Sequence, residues 1–188
     1  MKTLINNSAF KGCLGVAVIA ASMLAAPSAM AEEHQKEISI AASIDSSSNS
    51  GGGTSYSSTM TFINAAAGYY FKPKLVGMMN ISLFSTDYAG TTSTSFGLGV
   101  GAKYYFGEAA KSKWVPFVLG YVDVDTMDAG GTSFSGGGIT AGGGVSNFIT
   151  EQVSMDITLE GYARSLSGGG ISLTSSGGRL LFGMTARF

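Results

Sequence analysis

Cysteine, proline, charge and long apolar runs are all scarce in this 188-residue chain, and each shortage excludes a class of protein. The single cysteine, Cys13, lies near the N-terminus, so the rest of the chain folds without disulfide bonds. Charged residues make up 12% of the sequence and hydrophobic residues 45%, which does not fit a disordered chain despite the 28 glycines. After Ala31 there is no apolar run long enough for a membrane-spanning helix and no basic cluster that would predict nucleic acid as a partner.

The first 31 residues have the layout of a secretory signal peptide. Lys2 and Lys11 form a basic leader, residues 12–26 are apolar, and residues 28–31 (Ser-Ala-Met-Ala) give the small-x-small pattern of a cleavage site. The apolar stretch, about 15 residues, is shorter than the ~20 that a spanning helix needs. The sequence therefore predicts cleavage after Ala31 and a mature chain of residues 32–188. That chain has 9 Lys and Arg (11 less the two in the leader) and 12 Asp and Glu, a net charge of −3.

Beyond this segment, apolar residues alternate with small or polar ones over stretches of about ten residues. A period of two over such lengths predicts strands with two different faces. Eight such stretches occur, and their predicted apolar faces are Ile38-Ile40-Ala42-Ile44, Ile63-Ala65-Ala67-Tyr69-Phe71, Gly77-Met79-Ile81-Leu83, Phe96-Leu98-Val100-Ala102-Tyr104-Phe106, Val115-Phe117-Leu119-Tyr121, Ile139-Ala141-Gly143-Val145, Val153-Met155-Ile157-Leu159 and Leu180-Phe182-Met184-Ala186-Phe188.

The second face of each stretch distinguishes a membrane barrel from a soluble sandwich. It carries mainly Gly, Ser and Thr, whereas a sheet face in water usually shows Lys, Glu and Arg throughout. Aromatic residues collect at the ends of the stretches, as in the two interfacial girdles of a membrane barrel. The sequence therefore predicts an all-β protein, an eight-stranded antiparallel up-and-down transmembrane β-barrel over residues 32–188, with its apolar face against lipid.

The connections between the stretches are of two kinds. Three are short, at residues 72–74, 107–113 and 150–152, as expected for periplasmic turns. Four are longer and rich in Gly and Ser, and we expect them to be outer loops, with Asp87, Asp123, Asp125 and Asp128 at or near them. These longer connections are residues 46–57, 85–93, 126–137 and 165–177.

Several short motifs resemble a known family. Residues 68–71 (Gly-Tyr-Tyr-Phe), residues 98–101 (Leu-Gly-Val-Gly) and Phe188 are similar to those of the outer membrane protein β-barrel family, the small barrels like outer membrane proteins A and X. The resemblance implies a place in the outer membrane of a Gram-negative bacterium, with membrane lipid as a partner. It also implies insertion by the barrel-assembly machinery, which would recognise a signal made of Leu180, Phe182, Met184 and Phe188.

The alternation assigns several charged residues to the interior of the barrel. Eight strands leave an interior that side chains can just fill. Inward glycines at positions 97, 99, 101, 120, 142 and 144 leave room for long side chains from the last two strands. Because buried charges are costly unless paired, we expect a network of ion pairs. The predicted network is Glu37, Lys103, Asp156, Glu160, Arg164, Arg179 and Arg187.

Catalysis has little support in the sequence. Asp156 and Glu160 lie roughly 13 Å apart along a strand at ~3.3 Å per residue, beyond the ~5–9.5 Å of a glycosidase pair. His34, the only histidine, precedes the first strand, and no serine has an activating partner. We expect a non-enzymatic envelope protein with a structural or surface-interaction role, without cofactor or metal and with no identified surface ligand. Two alternatives stay open: a narrow porin-like channel for small solutes, and an adhesin that acts through its outer loops.

Overall fold

The computed structural model describes residues 36–51, 54–88, 91–108, 112–129 and 131–188. The predicted signal peptide and His34 lie outside the described residues. None of the described residues belongs to a helix that is long and apolar enough to cross a membrane.

Eight antiparallel strands form one closed sheet, in which each strand pairs with its neighbours in sequence and β8 pairs with β1. This arrangement confirms the predicted fold class. We call the end where β1 begins and β8 ends the terminal end, and the opposite end the hairpin end. The strands are β1 (Lys36–Gly51), β2 (Thr54–Lys72), β3 (Leu75–Tyr88), β4 (Thr91–Tyr105), β5 (Trp114–Ala129), β6 (Thr132–Phe148), β7 (Val153–Gly168) and β8 (Ile171–Arg187).

Large apolar side chains cover the outside of the barrel. Phe71 and Met79 are each 69% exposed and Val124 is 67% exposed, a degree of exposure that suits lipid and not water. The predicted apolar face points outward on every strand except β5. A closed ladder pairs the backbone groups within the sheet, which is the condition for strands to cross a bilayer.

The predicted face of β5 was wrong. Phe117 and Tyr121 are 2% and 8% exposed and point into the barrel, whereas Val118 and Val122 are 44% and 62% exposed and point outward. Over its first half β5 carries large apolar residues on both faces, so alternation alone could not choose between them. Asp123 follows Tyr121 at a spacing of two, and a carboxylate belongs on the inward face because lipid does not solvate it.

The predicted long outer loops were also wrong, because the Ser- and Gly-rich segments continue the strands as paired hairpins. Only two residues separate the strands of each hairpin at the hairpin end. Ser and Thr are compatible with strands, and outside lipid an outward polar face meets water. In the β7–β8 hairpin the connecting residues are Gly169 and Gly170, with φ of 56° and 77°, and two positive φ values in succession favour glycine.

The apolar core lies inside the barrel, towards the terminal end. There the aromatic rings of Tyr105 and Phe117 pack edge to face, with their centroids 5.8 Å apart. The cluster fills the space between the strands at this level. Its buried members are Ala66, Val76, Met78, Tyr105, Val115, Phe117, Tyr121 and Phe148.

One ladder is shorter than the others. Strands β1 and β8 pair from Glu37–Arg187 to Ala42–Phe182, and the backbones of Lys36 and Phe188 exchange two hydrogen bonds of 3.0 Å. Towards the hairpin end, residues 43–51 of β1 pair with β2 and residues 171–181 of β8 pair with β7, and neither segment pairs with any other strand in the described part of the chain. We call the space between these two segments the seam.

Candidate functional site

The interior of the barrel holds acidic and basic side chains that are nearly all buried. All seven residues of the predicted network point inward, and the structure adds Asp123 and Asp125 to them. Counting only residues whose side chains the structure describes, five acids and four bases face the interior, where the sequence predicted three acids and four bases. The charges form two clusters, one near the terminal end and one nearer the hairpin end.

Glu37 is the centre of the cluster at the terminal end. It is 0% exposed and accepts hydrogen bonds from the hydroxyl groups of Tyr70, at 2.7 Å, and Tyr105, at 3.0 Å. Two cations approach the same carboxylate, since Lys103 Nζ and Arg187 Nε each lie 3.7 Å from one of its oxygens. The burial of this acid is therefore offset by two hydroxyl donors and two positive charges.

Lys103 connects Glu37 to a second acid, Asp156. Its Nζ lies 3.7 Å from Asp156 Oδ2 and 4.3 Å from the ring centroid of Phe117. Asp156 also accepts hydrogen bonds from the hydroxyls of Ser154, at 2.9 Å, and Thr185, at 2.5 Å. Hydroxyl groups on β7 and β8 thus complete the shell of an acid that strand β7 points inward.

The second cluster is built around Arg179. Its Nη2 and Nε lie 2.8 Å and 2.9 Å from Glu160 Oε2, and its Cζ lies 3.5 Å from the ring centroid of Phe62. Arg164 Nε lies 3.6 Å from Asp125 Oδ2. Since Phe62 is on β2, the Arg179 side chain reaches from β8 past β1 on the interior side of the seam.

Asp123 and Asp125 were predicted to lie at or near an outer loop, and this prediction was wrong. They are 4% and 0% exposed inside the barrel. Asp123 accepts hydrogen bonds from Asn80 Nδ2 at 3.1 Å and from Thr140 Oγ1 at 3.4 Å. The signal that could have found them is their spacing of two along β5, which continues the inward face beyond Tyr121.

Side chains from other strands lie close above several of the inward glycines. An added Cβ on Gly97 would collide with Asp125 Oδ1, and one on Gly99 would collide with Asn80 Oδ1 and Asp123 Oδ1. A Cβ on Gly142 would lie 2.9 Å from Glu160 Cγ. Gly101 and Gly144 are also crowded, by Tyr121 and Phe117. Gly120 was predicted to point inward and instead lies on the outward face of β5.

A small cavity lies between the two clusters. A cavity of about 30 Å³ is lined by Lys103 and Asp156 from one cluster, Glu160 from the other, and apolar side chains that include Tyr121 and Leu181. Such a volume holds one or two water molecules. Nowhere in the described ranges do three or more His, Cys, Asp or Glu side chains converge as a metal site would require. The arrangement is a set of paired charges around a water-sized void.

The residues of the predicted assembly signal lie together on the outside of β8. Leu180, Phe182, Met184 and Phe188 are between 40% and 59% exposed and share the outward face with the rest of the apolar surface. Their position makes them available to lipid. Recognition by the assembly machinery stays a prediction.

Comparisons with known proteins place the fold. No protein-family model and no curated protein matches the chain. The structure is similar to the crystal structure of Neisserial surface protein A, with a TM-score of 0.63 and 21% identity, over 81% of this chain and 96% of that one.

Two solved structures from Pseudomonas aeruginosa are also similar. They are the N-terminal β-barrel domain of OprF (TM-score 0.51, 13% identity, 83% of this chain and 100% of that one) and the outer membrane protein OprG (TM-score 0.51, 13% identity, 82% and 97%). The chain therefore has the fold of a small bacterial outer-membrane barrel, as its resemblance to that family implied. At these identities the likeness concerns the fold alone.

The Glu160–Arg179 pair can be tested by a double-mutant cycle. Glu160→Gln leaves the buried guanidinium of Arg179 without its acid, and we expect a loss of about 3–5 kcal/mol in the free energy of unfolding. Arg179→Met with Glu160→Gln should cost less than the two single changes added together. The measurement is urea unfolding of the protein folded in lipid vesicles. Asp87→Asn, at an exposed acid, is the control, and additive effects no larger than that of the control would contradict the pairing.

The filled glycine positions give a second prediction. Gly99→Ala forces a methyl group into the space of Asn80 and Asp123, and we expect a loss of about 1–3 kcal/mol from overpacking. Gly161→Ala is the matched control, since its nearest atoms, two backbone oxygens, lie 3.9 Å and 4.0 Å away. The same unfolding measurement compares the two variants. Equal stability of both would mean that the space above Gly99 is open.

Proposed function

We propose that this chain is a non-enzymatic protein of the bacterial outer membrane with a structural or surface-interaction role, and that its interior does not conduct solutes. The observation that carries the proposal is the filled interior: two clusters of paired charges, with a void of about 30 Å³ between them. The apolar outer surface and the closed sheet support the membrane location. The fold shared with OprG, an outer membrane protein by name, supports it too.

The channel alternative depended on the inward glycines. Those on β4 and β6 face the side chains of Asp123, Asp125 and Glu160 and not a continuous space. A conducting path would require Lys103 to leave two acids that each lie 3.7 Å away. Separating a buried pair costs several kcal/mol, which favours a closed interior at rest.

The interior acids also support a non-enzymatic role. Each acid of the predicted network has a cation within 4 Å, and Asp156 and Glu160 are directed to different cations, Lys103 and Arg179. A general acid or base must reach a substrate, and the void between the clusters has room for water only. These carboxylates are therefore placed to hold the barrel interior together.

The hairpin end favours a surface-interaction role. All four hairpins continue as paired strands, and the tip of β8 exposes Ile171 by 57% and Leu173 by 37%. Exposed apolar side chains at the tip of a hairpin are candidates for contact with another molecule. The adhesin alternative therefore stays open, with the hairpins in place of the predicted outer loops.

Conductance across a planar lipid bilayer tests the closed interior. Purified protein inserted in the bilayer should give no steady current steps above those of protein-free detergent, because paired side chains block the path. Lys103→Met, which would line any path, and Lys74→Met, in a turn at the terminal end, form the matched pair. Steady steps in the unmodified protein whose ion selectivity changes with Lys103→Met but not with Lys74→Met would contradict the proposal and support the channel.

A further inference from the structure

Among the residues that the structure describes, the seam leaves two strand edges without a partner. The β7–β8 ladder continues to Gly168–Ile171 and the β1–β2 ladder to Gly51–Thr54, so both strands of the seam are held on their other side. On the seam side the ladder ends at Ala42–Phe182. The edges are therefore formed strands and not loose ends.

The direction of the backbone groups at the seam follows from the ladder below it. Lys36 and Phe188 exchange both of their hydrogen bonds, so hydrogen-bonded pairs recur at every second residue. In the same phase, the even-numbered residues of both segments point their N–H and C=O groups into the seam. These are Ile44, Ser46, Ser48 and Ser50 on β1, and Leu180, Gly178, Ser176, Thr174 and Ser172 on β8.

The free edge of β8 lacks the features that protect strand edges. Residues 171–178 contain no charged residue and no proline, and every one of them is exposed. Natural sheets usually blunt an exposed edge with lysine, proline or a bulge, because an unprotected edge pairs with other strands. The exposed side chains of Ile171 and Leu173 add apolar surface at the same place. An edge with these features is expected to be covered by another strand.

Most of the seam lies beyond the apolar outer surface of β8. Leu180 is the last large apolar residue on that face, and the outward residues beyond it are Gly178, Ser176, Thr174 and Ser172. Unpaired backbone groups within lipid would cost several kcal/mol each. Above the lipid, water can form hydrogen bonds with these backbone groups. A strand that displaces this water forms an ordered ladder of backbone hydrogen bonds with the edge.

We propose that a second copy of this chain covers the seam, with residues 43–51 of one copy paired antiparallel to residues 173–181 of the other. Copies in one membrane share one orientation, so β1 of each copy runs towards the hairpin end and β8 runs back. An antiparallel partner for β8 is therefore β1 of the other copy, whereas β8 beside β8 would run parallel. A two-fold axis along the membrane normal places both β1–β8 pairs opposite each other at once, which closes the assembly as a dimer.

The pairing continues an interface that already exists. Within one chain, β1 and β8 pair in a defined register near the terminal end, and the same register extended places Asn49 opposite Ser175. Asn49 and Ser175 fall on a non-hydrogen-bonded position, where opposite Cα atoms are about 4.5 Å apart. That separation lies within the range that a disulfide bond spans.

Cysteine cross-linking between two tagged copies tests the proposal, in a Cys13→Ser background that removes the only native cysteine. One copy carries Asn49→Cys and the other Ser175→Cys, and both are produced in the same cells. Outer membranes are isolated, reduced and then mildly reoxidised. We expect a covalent dimer that carries both tags, because each chain alone has only one half of the disulfide.

Three controls make the result specific to the seam. Cells with Asn49→Cys in both copies, or Ser175→Cys in both, should give no covalent dimer, since like edges do not meet. Asn49→Cys with Ser165→Cys, an exposed position on β7, should give none either. A single chain that carries both Asn49→Cys and Ser175→Cys reports closure of the seam within one copy.

The outcomes separate the second copy from the other occupants of the seam. A two-tag dimer that forms only with the Asn49 and Ser175 pair supports the proposal. A disulfide only within the doubly substituted chain shows that β1 and β8 close on each other, which overturns it. If neither disulfide forms in protein recovered from the outer membrane, the edges meet no strand of this chain, and the proposal is equally overturned.

Discussion

Pairing of the backbone inside the sheet is the constraint on which the rest of this structure depends. In lipid an N–H or C=O group has no water to bind, so a strand is tolerated only if both of its edges are paired. Eight strands meet this condition by closing into a ring, in which the ladder from Glu37–Arg187 to Ala42–Phe182 joins β1 to β8. Closure then assigns each side chain either to lipid or to a narrow interior.

The side chains inside the barrel carry the features that are specific to this chain. Charges that enter it must be paired, and the two clusters do this with different means: hydroxyl groups and two cations around Glu37, and a direct guanidinium contact for Glu160. Glycine has the complementary role, because Gly97 and Gly99 provide the space that Asp125 and Asp123 occupy. The same small residues that suggested an open pore are thus part of how the interior is filled.

The sequence could predict most of the fold because membrane strands repeat one simple rule. On seven strands the predicted apolar face points outward, as alternation indicated, although large apolar residues such as Met78 and Phe148 also point inward. On β5, Phe117 and Val118 are both large and apolar, so neighbouring strands and the acids at its far end decide the direction. The paired hairpins could not be predicted because Ser, Gly and Thr fit a loop as well as a strand in water.

Sequence reasoning could predict only part of the candidate site. Glu160 and Arg179 stand on strands with clear alternation, so both could be assigned to the interior. That they contact each other depends on the register, which pairs their backbones across β7 and β8. Asp123 and Asp125 could not be assigned to the interior because alternation did not decide which face of β5 points inward. No local sequence pattern indicates that the β1–β8 ladder ends at Ala42–Phe182, because the length of this ladder depends on how the whole sheet closes.

The direction of β5 decides whether Asp123 and Asp125 lie in the barrel or against lipid, and lipid quenching of tryptophan fluorescence measures it directly. In a Trp114→Phe background, which removes the only tryptophan, Val122→Trp and Tyr121→Trp place the probe at adjacent positions of one strand. Vesicles of brominated lipid should quench the tryptophan at 122 strongly and that at 121 weakly, because the first faces lipid and the second faces the interior. Strong quenching at 121 with weak quenching at 122 would contradict the filled, charge-paired barrel.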